Sequence, residues 1–273
     1  MKDMTAFCLN VRTDLFSFYK CWSVRPAPFF ARVGANFKDT CFVAGTLIHT
    51  MEGLRPIEQI KVGDWVLSKP ENGKGEPSYK PVTRTFVHES DDLWLISFNY
   101  FIKDIEKIHL AVEVRELNGE KLYIGTDWIA VTGNHPFFTK DKGWIRAYDL
   151  GGKYSSGEKV ELANGDYASA SIFNRILQTE TPNLGWAPRD LGFGHATNGG
   201  YSVELDAGEL KVEGRSNAPK LVLNDDGTAY RNITRTVYNF EVQENHTYYV
   251  GESGLWAHNK DNGGRSFVIA FVY

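Results

Sequence analysis

From Cys41 onward, apolar residues recur in short runs broken by glycine, asparagine and aspartate, the rhythm of strands and turns. "TLIHT" (46–50) reads as a strand. "GLRPIEQIKVGDWVLS" (53–68) reads as a short helical turn, a Gly63-Asp64 turn and a second strand. "DLWLISF" (92–98) and "LYIGTDWIAVT" (122–132) are rich in branched and aromatic residues, as strands are. "RTVYNFEV" (235–242) and "HTYYVG" (246–251) are separated by "QEN", a hairpin signal, and "LWAHN" (255–259) reads as a last strand. The pattern predicts an all-β fold.

Two regions depart from that rhythm. Residues 1–40 carry scattered aromatics without a period and the breaker "RPAP" (25–28), and read as a flanking segment. Residues 174–230 are polar and rich in glycine and asparagine, and read as a loop-rich insertion. The tail 260–273 opens on turn residues and ends in an apolar run that would be an aggregation hazard on its own, so it reads as the start of a downstream segment.

Composition narrows the function. The net charge of −4 has no long basic run behind it, so no nucleic-acid partner is expected. Cys8, Cys21 and Cys41 are three in number and lack a CxxC spacing, which argues against a disulfide framework and a structural zinc site. No run approaches the roughly 18 apolar residues of a membrane helix, and Asp3, Arg12, Asp14 and Lys20 break any leader core. The expectation is a soluble monomer without cofactor, metal, membrane segment or export signal of its own.

Four stretches carry reactive side chains. In "CFVAGTLI", the Cys41 thiol can reach the peptide bond before it, although a small buried hydrophobe is the commoner fate of a lone cysteine. In "VTGNHPFF" (131–138), Thr132 and His135 flank a Gly133-Asn134 turn, with Pro136 expected to stop regular structure; the histidine can hand a proton to a departing amine or simply cap a loop. His246 is expected to open a strand. In "GLWAHN", the Asn259 carboxamide can attack its own backbone carbonyl and cut the chain, with His258 beside it to move protons.

The order of these stretches resembles the Hint domain, the fold shared by inteins and hedgehog autoprocessing domains. The wording "VYNFEV…HTYYVG…GLWAHN" is most similar to Hint domains of bacterial polymorphic toxins and bacterial intein-like domains. The resemblance spans about 41–259. It implies a horseshoe-like β fold that brings both ends of the domain together, and no cofactor. It implies Cys41 as first nucleophile, with Thr132 and His135 holding and protonating the Thr40–Cys41 amide. It also implies His246 and His258 as assistants to cyclisation of Asn259. The substrate would be the chain's own flanking polypeptide, and the product a toxin domain freed from a larger, secreted bacterial protein. Splicing inteins carry Cys, Ser or Thr after the terminal Asn; Lys260 stands here, so the resemblance favours cleavage over splicing. Asn239 stands where some inteins place an Asp, which predicts a weaker N-terminal step. A Hint scaffold that no longer cuts and serves as a structural or binding module would carry the same motifs.

Overall fold

The computed structural model describes residues 12–13, 16–17, 40–103, 105–151, 157–189, 196–206 and 208–259. The chain divides into two units, Met1–Asn36 and Phe37–Tyr273. Of the first, a two-residue ladder is described, pairing Arg12 with Ser17 and Thr13 with Phe16. The tail 260–273, and with it Lys260, lies outside the described residues, as does most of the flanking segment 1–40.

The second unit is built on one large antiparallel sheet. Its centre is the pair Leu93–Ile102 and Glu120–Thr132, in register over ten residues from Tyr123 opposite Ile102 to Thr132 opposite Leu93. The two-residue strand Phe42–Val43 is wedged between Glu120–Thr132 and Arg235–Val242. Beyond Arg235–Val242 the order continues through Ser78–Ser90, Trp65–Ser68, Leu47–Thr50, Thr247–Val250 and Leu255–His258. On the other side it runs through Tyr167–Arg175, Lys159–Glu161 and Pro136–Thr139. Phe137 then pairs with Ala257, so the sheet closes on itself.

That closure places the last strand beside the segment that follows His135. The strand expectations at 46–50, 92–98, 122–132, 235–242 and 255–259 agree with the observed ranges within a few residues. Pro136 does not stop regular structure. It opens the strand Pro136–Thr139, paired with Gly143–Arg146, where a first residue needs no ladder N–H.

Alternation along each strand sorts the core into two faces. Phe42, Ile96, Phe98, Ile129, Val131, Phe240 and Val242 point into a core that also holds Phe137 and Tyr248. Cys41, Val43, Leu93, Leu95, Ala130 and Val237 point the other way. Over that second face lies the region expected to be a loop-rich insertion. It carries an antiparallel four-stranded sheet: Leu177–Gln178, Leu184–Pro188, Asn198–Asp206 and Glu209–Asn217. Ala187 and Val203 pack into the Cys41 cluster, with Tyr201, Leu205, Leu210 and Val212 at its margin. The strands were hidden because one face of this sheet is solvated and its last strand is mostly exposed, which leaves few apolar positions to reveal a period. At one point the approach is backbone to backbone. Gly45 has φ +83, and a Cβ there would lie 2.6 Å from the carbonyl of Gly208 in the hairpin turn.

Candidate functional site

The Thr40–Cys41 peptide bond is gripped at both ends. Its N–H donates to Thr132 Oγ1 at 2.9 Å. Thr132 is the last residue of its long strand, and its own N–H donates to the Cys41 carbonyl at 3.0 Å, which fixes the hydroxyl at that place. The Thr40 carbonyl accepts a hydrogen bond from Asn239 Nδ2 at 2.5 Å. The orientation of Asn239 is dictated by its other end, because Oδ1 already accepts from Tyr248 Oη at 2.8 Å and from the Phe240 N–H at 2.7 Å. Asn239, neutral and expected to contribute little, is thus a hydrogen-bond donor aimed at the oxygen where negative charge would develop if Cys41 attacked.

Cys41 is buried, 2% exposed. Its Sγ lies 3.8 Å from both ring nitrogens of His88, on the strand Ser78–Ser90. His88 stands opposite Val237 in the neighbouring strand, two positions before Asn239. Nothing in the sequence singled it out.

His135 is fully buried, its ring 4.1 Å from that of Phe42 and 5.7 Å from that of Phe137. Burial pushes it down to about 3; the nearby His258 adds to this, and the Thr40 backbone opposes it. Neither ring nitrogen has a well-formed hydrogen bond among the described residues, so the pull from Thr40 is a loose one. The ring at rest is therefore neutral at neutral pH.

At the other candidate position, Asn259 is fully buried. Its N–H donates to the His246 carbonyl at 2.8 Å, and its Nδ2 donates to the Phe240 carbonyl. Its Oδ1 is buried without a hydrogen-bond partner among the described residues. His258 Nε2 lies 3.0 Å from Glu71 Oε2. Burial lowers the proton affinity of His258; Glu71 and the Asn259 backbone raise it, and His246 lowers it again. His246 does not open a strand. It precedes Thr247–Val250 with φ 55, in the left-handed region. Its half-exposed ring faces Glu241 at 3.7 Å, so its direct hold on Asn259 is through its backbone carbonyl.

The predicted residues therefore fall into two groups. Cys41, Thr132 and His135 surround the first peptide bond; His246, His258 and Asn259 make up the second. The electrostatic influence of His258 on His135 links the two. Asn239 and Phe240, consecutive on one strand, touch one group each: Asn239 binds the Thr40 carbonyl and Phe240 the Asn259 carboxamide. Among the described residues no group of three or more His, Cys, Asp and Glu side chains is arranged to hold a metal.

The chain was compared with known proteins. No curated protein matches it. Residues 47–171 match the family described as the pretoxin HINT domain. Among solved structures, it is similar to a bacterial intein-like domain from Clostridium thermocellum, with 24% identity, 80% of this chain and 98% of that chain covered, and a TM-score of 0.43. It is also similar to a DnaB intein from Synechocystis sp. PCC 6803, with 10% identity, coverage of 81% and 99%, and a TM-score of 0.39. The matched span contains Thr132 and His135, while Cys41, His246, His258 and Asn259 lie outside it. Residues 47–171 thus match the pretoxin HINT family model, and the described residues are nearly all β, as are the intein and intein-like domains to which the chain is similar.

Proposed function

We propose that this chain cuts its own backbone once, after Asn259, and that Cys41 can in addition convert the Thr40–Cys41 amide into a thioester. The observation that carries the reading is the strand Arg235–Val242, where Asn239 binds the Thr40 carbonyl and Phe240 binds the Asn259 carboxamide. A scaffold with no chemistry has no need to bury and fasten the Thr40–Cys41 peptide and the Asn259 side chain in this way. Fastening them removes the orientational cost that makes such attacks slow in a free chain, a saving of several kcal/mol.

In the first reaction Cys41 Sγ adds to the Thr40 carbonyl carbon. Asn239 Nδ2 stabilises the oxyanion. The thiol proton passes to an imidazole, His88 or His135, and the amine of Cys41 leaves with a proton. His135, neutral at rest, is suited to accept and return a proton within the reaction rather than to arrive with one. In the second reaction Asn259 Nδ2 adds to the Asn259 carbonyl carbon and gives up a proton. The bond to residue 260 breaks, and the freed amine gains a proton through His258. The product is a succinimide on 259 and a new N-terminus at 260. In a larger precursor the released segment is the toxin for which the family is named.

Intact mass on freshly purified chain tests this. The expected result is a species ending at Asn259 with a matching 260–273 fragment, absent from Asn259→Ala. A fragment 1–40 is expected only with added thiol, and is lost in Cys41→Ala. An unchanged mass over days would replace this reading with a silent scaffold.

A further inference from the structure

The Glu71–His258 contact has no part in the chemistry set out so far. Glu71 lies in the turn after strand Trp65–Ser68, within the polar stretch "PENGKGEP". The turn is not loosely attached. Thr247 Oγ1, one residue after His246, accepts from the Lys69 N–H at 3.2 Å and donates to the Lys69 carbonyl at 2.5 Å. Trp144 Nε1 donates to the Glu71 carbonyl at 2.8 Å. The same indole stands edge-on to the His258 ring, centroids 4.9 Å apart at 84°. Trp144 thus fixes the Glu71 backbone and the His258 ring against each other. Lys69, two residues before Glu71, is paired with Glu161 at 2.6 Å.

We infer that Glu71 is the positioning residue of the cut after Asn259: its carboxylate holds the Nε2–H of His258 and thereby turns Nδ1 and the ring's proton-carrying capacity toward the Asn259 peptide. A carboxylate can only accept, so the hydrogen at this contact belongs to Nε2. That leaves Nδ1 as the nitrogen through which a proton is taken from the Asn259 carboxamide and delivered to the amine of residue 260. Glu71 also counteracts the burial that would strip His258 of its charge. The His258 side chain is 4% exposed and the Glu71 side chain 42%, so the pair joins a buried ring to solvent. The logic is that of an acid–base histidine oriented by a carboxylate, with a backbone-cleaving asparagine in place of an external substrate.

The inference rests on the C-terminal cut proposed above, and its test separates the two. Formation of the 260–273 fragment is followed by mass in full-length wild type, Glu71→Gln, Glu71→Ala and Glu71→Asp between pH 5 and 9. The titratable groups that act on His258 are Glu71, His246 with its partner Glu241, and His135. Gln keeps an acceptor but loses the charge. It is expected to move the acidic limb of the rate profile to lower pH and to slow the cut at neutral pH. Ala loses both, and is expected to slow the cut by roughly tenfold or more, within what a placed acid–base group contributes. Asp is expected to recover part of the rate. Thiol-induced cleavage before Cys41 should not change in any of the three, which also shows that they fold. Equal rates and profiles in wild type and both Gln and Ala variants would overturn the role of Glu71. Absence of the fragment from wild type at every pH would overturn the cut itself.

Discussion

At Thr40–Cys41 the peptide N–H meets the Thr132 hydroxyl and the carbonyl meets the Asn239 carboxamide, while the His88 imidazole lies beside the thiol. The carboxamide decides how the carbonyl behaves. Asn239→Ala or Asn239→Asp removes the donor to the Thr40 oxygen, and is expected to slow thiol-induced cleavage before Cys41 by roughly a hundredfold, the usual scale for one oxyanion donor. Mass analysis over a thiol titration checks this; an unchanged rate in both would show that Asn239 only packs. The residue was readable in the sequence, but its hydrogen bond to the Thr40 carbonyl was not. Reasoning from charge alone left a neutral amide idle, whereas an amide nitrogen needs no charge to donate. Thr132 and His135 were legible because their spacing is local. His88 and Glu71 were not, since 47 residues separate His88 from Cys41 and 187 separate Glu71 from His258. Only the pairing of strands brings them together.

Among the elements, the strands around the site announced themselves through dense branched and aromatic runs, while the four strands between Leu177 and Asn217 did not. Their sheet has one face toward Cys41 and one toward water, and the glycines at 199 and 200 thin its apolar signal further. Its position gives it a measurable effect. Val203 and Ala187 belong to the buried cluster that holds Cys41. Val203→Ala removes two methyl groups from that cluster. It is expected to cost about 1–2 kcal/mol, by extension from other large-to-small core changes, and to raise the rate of Cys41 alkylation by iodoacetamide several-fold. Alkylation no faster than in wild type would mean that the inserted sheet does not guard the thiol.

For the whole molecule, closure of the sheet through Phe137 and Ala257 means that the site is assembled only when the fold is complete. Two of its histidines are held with reduced proton affinity in the folded state, His135 down to about 3 and His258 in the same direction. The unfolded chain binds these protons near 6.5. Stability is therefore full above about pH 6.5 and falls as the pH drops toward the folded values, by up to about 1.4 kcal/mol per pH unit for each histidine. Thermal melts of the uncut Asn259→Ala chain from pH 8 to pH 4 should show this decline, and His135→Gln should make it shallower by about one proton. A melting temperature independent of pH across that range would mean that His135 titrates normally. The all-β class and the order of the motifs were visible along the chain; the closure was not, because a single-residue pairing such as Phe137 with Ala257 leaves no trace in a linear pattern.

The adjacency of Asn239 and Phe240 also bears on the order of events. If the acyl group leaves the Cys41 nitrogen as proposed and the upstream piece departs, the Asn239 carboxamide loses the Thr40 oxygen it binds. One peptide unit away, the Phe240 carbonyl still restrains the nitrogen that must move for the second scission. On the proposed chemistry, a shift of this strand after the first event would slacken that restraint, so a molecule relieved of its upstream neighbour would differ in its readiness for the second cut from one that is not.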